Sequence, residues 1–117
     1  MALFEKGEFE AAAGEFESTR ELAPEDAEIR LNLSVTFSKL GRSDAAMKSV
    51  DDAVRIALSA GRESALLAAE ALSSRASLRE RSGQNDKARA DLKEALERAP
   101  ADWPRRAEIA RRLAGLK

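Results

Sequence analysis

Two pairs of neighbouring carboxylates, Glu25-Asp26 and Asp51-Asp52, are the residues whose types could support acid-base chemistry. An acid and a base that share a substrate atom must converge on it, and helix neighbours point about 100° apart. Neither pair converges without help. At a helix start an acid favours the helix dipole, and that is the role expected of Glu25 and Asp26. The chain has no His and no Cys. It therefore lacks the commonest general base and metal ligand, and it can form neither a thiolate site nor a disulfide. Its glycines are isolated, so no glycine-rich loop is available to cradle a phosphate. The expectation is a non-enzyme with no catalytic residue, no metal ligand and no cofactor.

Arg105, Arg106, Arg111 and Arg112 raise the question of nucleic acid. Phosphate binding needs a clustered basic face. Glu108 interrupts this one, and the sequence pI is about 5.6. Cations near a helix C-terminus also favour the dipole, so no nucleic-acid partner is expected. Net charge is −1 but uneven. Residues 1–58 hold 7 basic and 12 acidic side chains, giving −5, and residues 59–117 hold 13 and 9, giving +4. Solvated helix faces account for such a split, and a partner with complementary asymmetry is the sharper reading. No apolar run approaches the roughly 18 residues that span a bilayer. The start Met1-Ala2-Leu3-Phe4-Glu5 lacks the basic and apolar regions of a signal peptide. A soluble cytoplasmic chain is expected, with the periplasm as the alternative if a targeting segment precedes it. The richness in Ala and Arg points to a GC-rich bacterial genome.

The elements that position these residues read as helices throughout. At 117 residues the chain fits one domain, and 24 of its residues are Ala, the best helix former. Strand-like alternation is absent. Residues 1–6 allow less than two turns before Gly7, and Glu8–Leu22 is a helix with Phe9, Ala12, Ala13, Phe16 and Thr19 at helical spacing, ended by Pro24. Asp26 caps the next helix, which runs to Leu40 before Gly41. There Ile29, Leu33, Phe37 and Leu40 form one apolar stripe, while Leu31 and Val35 lie on nearly the opposite face. Ser43 caps a helix with Ala46, Val50, Ala53, Val54 and Ala57 that stops at Gly61. A longer helix from Glu63 to Ser82 carries Leu66, Leu67, Leu72 and Leu78. Asn85 caps another, with Ala88, Leu92, Ala95 and Leu96, closed by Pro100. Asp102 and Pro104 open the last, where Ile109, Leu113 and Leu116 share a face and Glu108 and Arg111 point away.

Overlaying glycines exposes an internal repeat. Gly7 to Gly41 is 34 residues and Gly41 to Gly83 is 42. The same offsets align Ala12, Ala46 and Ala88; Phe16, Val50 and Leu92; Thr19, Ala53 and Ala95. Pro24 and Pro100 occupy equivalent ends, with Leu58 between them. A 34-residue helix-turn-helix unit with this order of small and large residues resembles the tetratricopeptide repeat, and the 42-residue spacing resembles the extended repeats of kinesin light chains. By this alignment residues 1–24 are a partial first repeat, 25–61 a complete second, 62–100 an extended third and 101–117 a capping helix, all in one domain. In the third unit Arg75 and Arg79 fall where Leu33 and Phe37 sit in the second, and a slip of one residue would bring Leu78 inward instead.

The resemblance implies an all-α fold of antiparallel helical hairpins stacked in a right-handed superhelix, with the first helix of each pair lining a concave groove. That groove would expose Glu28, Leu31, Asn32, Val35, Ser38 and Lys39, together with Glu70, Ser73, Ser74, Ser77, Glu80 and Arg81. The residues singled out for partner contact are Glu28, Leu31, Asn32, Val35, Lys39, Ser73, Ser77 and Arg81. The implied function is a scaffold that takes a peptide or helix of a protein partner, without catalysis or membrane insertion. Chaperone-tail clamping, one known use of the family, is not expected: Asn32 matches one clamp position, but Glu70 and Ser74 stand at the basic ones. The alternative is a self-associating module, a homo-oligomer formed through the apolar Phe4, Phe9 and Phe16 of the terminal repeat.

Overall fold

The computed structural model describes residues 3–23 and 25–116, with side chains from Glu5 onward. Met1, the Phe4 side chain and Pro24 lie outside that description, with what was expected of them. Among the described residues six α-helices follow one another: α1 (Leu3–Leu22), α2 (Ala27–Lys39), α3 (Ser43–Ser59), α4 (Ala65–Arg81), α5 (Asn85–Arg98) and α6 (Arg106–Gly115), with a 3-10 turn over Gly61–Ser64. No strand occurs among the described residues. The chain divides into two compact units, Met1–Ile56 and Ala57–Lys117.

In the first unit α1 packs on α2, and α2 pairs with α3. The Ser34 hydroxyl donates to the Ala46 carbonyl at 2.8 Å, and Arg30 reaches Asp52 at 2.9 Å. Low residue numbers on α2 thus meet high ones on α3, the mark of an antiparallel hairpin. Its turn has a specific cause. Gly41 adopts φ 76°, and this left-handed residue lets its own N–H bond the Ser38 carbonyl (3.1 Å) while the Arg42 N–H bonds the Phe37 carbonyl (2.9 Å). Carbonyls that the helix end would orphan are thereby satisfied. Asp26 does cap α2, its carboxylate accepting from the Ile29 N–H at 3.2 Å.

The second unit repeats the device. Gly83, at φ 78°, bonds the Glu80 carbonyl at 3.1 Å while the Gln84 N–H bonds the Arg79 carbonyl at 2.8 Å, closing α4 onto α5. The positions aligned by the repeat are fully enclosed in both hairpins: Ala46 and Ala88, Val50 and Leu92, Ala53 and Ala95 are all 0% exposed. α6 packs on α5 and buries Ile109. The Arg106 guanidinium donates to the Leu96, Ala99 and Pro100 carbonyls, so a side chain closes the end of α5.

Four expectations are corrected. Gly7 is not a hinge: α1 runs through it and through Gly14 without a positive φ. A glycine inside a helix costs only about 1 kcal/mol, too little to break one whose other residues favour it. The stretch from Glu63 is split, its first residues in the 3-10 turn and α4 starting at Ala65. Ser43 and Asn85 are the first residues of α3 and α5, and the first intrahelical bonds there go to the Arg42 and Gln84 carbonyls. The last helix begins at Arg106, beyond Asp102 and Pro104, because the intervening turn is pinned by the buried Trp103. Leu116 consequently follows α6 rather than sharing its face, and its carbonyl accepts from Arg89 at 2.9 Å.

Candidate functional site

What a helix can offer a partner is the face it does not bury. On α2, Leu33 (0% exposed), Ser34 and Phe37 (8%) turn inward. The rotation of the helix is fixed by the Ser34 and Arg30 bonds to α3. What remains outward is the stripe Glu28, Leu31, Asn32, Val35 and Lys39, at helical spacing i, i+3, i+4, i+7 and i+11. Glu28 and Lys39 are exposed, Leu31 and Asn32 half-buried, and Val35 is 46% exposed. The stripe sets two apolar side chains between an acid and a base, beside an amide that can both donate and accept hydrogen bonds. Among the described residues no hydrogen bond engages the Asn32 amide.

On α4 the corresponding residues have other occupations. Ser73 is 1% exposed and its hydroxyl donates to the Ala69 carbonyl at 2.8 Å, so the structure corrects its place in an open groove. Ser77 is half-buried and accepts from the Arg112 guanidinium at 3.0 Å. The same guanidinium reaches Glu80 at 3.0 Å. Glu70 accepts from the indole N–H of Trp103 (2.9 Å) and from Arg105 (2.7 Å), and the Arg105 guanidinium lies 5.8 Å from the Trp103 ring centroid. The chain's own C-terminal segment thus satisfies this face of α4, and of the residues singled out there only Arg81 is exposed.

The same contacts engage three of the four arginines of the basic cluster. Arg105 pairs with Glu70 and Glu108, Arg106 closes α5, and Arg112 holds Ser77 and Glu80. The Arg105 guanidinium is held above its ordinary value chiefly by its bond to Glu108, whose carboxyl is held below its own by that bond. Of the paired carboxylates, Asp26 caps α2, Glu25 lies 3.8 Å from Arg55, and Asp52 holds Arg30. No cluster of three or more potential metal ligands, and no helix long and apolar enough to cross a membrane, occurs among the described residues.

The structure also shows what the sequence reading overlooked. Asp91 is 2% exposed and is held by Arg75 (2.8 and 3.1 Å) and Arg79 (2.8 Å). This settles the register of the third unit in favour of the glycine overlay, with both arginines at the α4–α5 contact and Leu78 only half-buried. The available signal was an acid at the overlay position of Ser49, opposite two arginines one helical turn apart. Trp103 was signalled by being the only Trp of the chain, set in a turn beside a proline.

Comparison with known families agrees with this geometry. Two family models, each described as tetratricopeptide repeat, match residues 3–71 and 69–102. No curated protein matches the chain. Helical hairpins closed by equivalent glycines, repeated small-large-small packing positions and family matches across most of the sequence lead to one conclusion: the chain belongs to the tetratricopeptide repeat family.

Proposed function

We propose that this chain is a non-catalytic protein-interaction module whose contact surface is the outward stripe of α2, where a peptide or helix of a partner protein lies against Leu31 and Val35. Repeats of this family generally mediate protein-protein interaction. The observation that carries the reading is Val35, 46% exposed beside Leu31 and Asn32 on a helix whose rotation is otherwise fixed. Glu28 and Lys39 at the ends of the stripe supply orientation through charge, which steers approach more than it tightens binding. Ser73 plays no part, and Ser77 contributes only by giving up its bond to Arg112.

The test is selection of binding peptides from a random library on the wild-type protein, followed by titration against Leu31→Glu and Val35→Glu. Covering a valine side chain is worth about 1.5 kcal/mol, so each variant is expected to bind at least about tenfold more weakly. Circular dichroism should show unchanged helicity. Selected peptides that bind both variants as well as wild type would place the contact elsewhere.

A further inference from the structure

The extra residues that stretch the second glycine spacing to 42 leave a hollow in the second unit. Gly61 turns the chain at φ 74° into the 3-10 turn before α4 begins. Between the end of α3, this turn, the start of α4 and the end of α5 lies an open cavity of about 310 Å³. Ala57 and Ala68, 1% and 2% exposed, give it a floor of methyl groups with Ala65 beside them. Arg62, Glu97 and Arg98 stand around it. Its volume is at the lower end of ligand clefts, enough for one large aliphatic side chain and its flanking backbone. Among the described residues no ion pair or hydrogen bond engages the Arg62 guanidinium, whereas Arg98 holds Glu94 at 2.7 Å.

A matching plug exists in the first unit. Leu22, the last residue of α1, is 88% exposed, the most open large apolar side chain among the described residues. Glu21 precedes it and Glu25 follows three residues later. Charge points the same way on a larger scale. Residues 57 and 58 are uncharged, so the first unit carries the −5 and the second the +4 counted above, and copies of the chain attract head to tail. We propose that the cavity receives Leu22 of a second copy of this chain, with Glu21 beside that leucine facing the Arg62 guanidinium. Plug and socket are different surfaces, so each copy can offer its plug to one neighbour and its socket to another, or exchange both with the same one. One side chain and a few screened charges make it weak, with a dissociation constant on the order of 0.1–1 mM. The stripe on α2 takes no part.

Sedimentation velocity from about 10 μM to 1 mM brackets that constant. The mass should rise with concentration, and less so at high salt. Leu22→Glu and Arg62→Glu, both at exposed positions, should each remain monomeric. Mixed in equal amounts they should pair and stop at two copies, because one keeps the socket and the other the plug. Ala65→Trp, which fills the cavity, should behave as Arg62→Glu does. Val35→Glu should associate like wild type, which separates this assembly from partner binding by α2. A wild-type monomer throughout, association that survives Leu22→Glu, failure of the mixture to pair, or loss of association in Val35→Glu would each overturn the proposal.

Discussion

In the hairpin α2–α3, Leu33 and Phe37 are buried at the positions where α4 of the other hairpin carries Arg75 and Arg79, and Ser49 of α3 stands where α5 carries Asp91. The two hairpins nevertheless share the same turn and the same fully enclosed Ala46/Ala88, Val50/Leu92 and Ala53/Ala95 positions. One plan therefore accepts either an apolar interior or an ionic one. The shared small and aliphatic residues set how closely the helices approach, and the glycine turn sets where they start. The remaining interior positions need only fill their space and satisfy their polar atoms. The second hairpin meets that condition with a carboxylate held by two guanidinium groups, and no side-chain N or O atom is buried without a partner among the described residues.

This comparison fails most visibly if Asp91 can be removed cheaply. Asp91→Ala leaves two guanidinium groups facing each other in a largely dry contact and should cost about 3–5 kcal/mol in urea unfolding. Ser49→Ala, its counterpart in the apolar hairpin, removes one small hydroxyl and no ion pair and should change stability by less than about 1 kcal/mol. Equal costs would mean that the ionic triad is solvated and incidental. The complementary exchange gives the second hairpin the interior of the first through Arg75→Leu, Arg79→Phe and Asp91→Ser together. Desolvating charges is expensive, so this triple variant should be as stable as wild type or up to about 4 kcal/mol more stable. A marked loss would show that the ion pairs contribute more than hydrophobic residues of similar size.

The turn glycines give a finer test, with opposite signs. A Cβ at Gly41 or Gly83 meets no atom within 4 Å, so Gly→Ala there costs only the left-handed backbone, about 1–2 kcal/mol. Gly7 aligns with them in sequence but lies inside α1, and a Cβ there also meets nothing within 4 Å. Gly7→Ala should therefore stabilise by about 1 kcal/mol. Destabilisation by Gly7→Ala would restore the hinge that the repeat alignment suggested.

That contrast also explains how far the sequence could be read. Helices 2 to 5 were legible because apolar spacing, an acid cap and three glycine stops agree, and agreement between local signals makes a segment foldable one way. Gly7 misled because alignment reports residue identity, whereas the left-handed turn at Gly41 and Gly83 also depends on the helix that precedes it. The outward face of Leu31 and Val35 was legible from helical spacing, whereas Glu28, Asn32 and Lys39 came with the resemblance. The corresponding face of α4 was not legible. Ser73 and Ser77 look like solvent-facing residues until Trp103 and Arg112, about 30 residues further along the chain, are brought against the same helix face. Asp91 posed the same difficulty, since an acid on a helix ordinarily reads as surface until its two partners across the hairpin are known.

The smallest predicted effect lies at α6, where the ionic style of the second unit reaches the surface. The Arg105 Nε–H donates to the Glu108 carboxylate at 2.7 Å, and this bond holds the Glu108 carboxyl below its ordinary value. When α6 unfolds, Glu108 regains that ordinary value and binds a proton more readily. The bond therefore contributes stability above the ordinary carboxylate range, and that contribution is lost as pH falls through the lowered folded value. Arg105 works in the other direction: its raised value adds stability below its ordinary range, lost only as pH rises through the raised one, in strong alkali. Glu108 is exposed, so water and salt screen the pair and the effect is confined to the first turn of the helix. The protection factors of the α6 amides, exchange rates divided into those of an unfolded chain at the same pH, should be constant from about pH 7 to 5 and fall below about pH 4, near the unperturbed carboxylate range. Glu108→Gln should remove that acid step and hold the lower protection throughout, while Arg105 keeps its 2.7 Å contact with Glu70. An acid step that survives Glu108→Gln would assign it to another carboxylate and leave the Arg105–Glu108 pair without a role in holding α6.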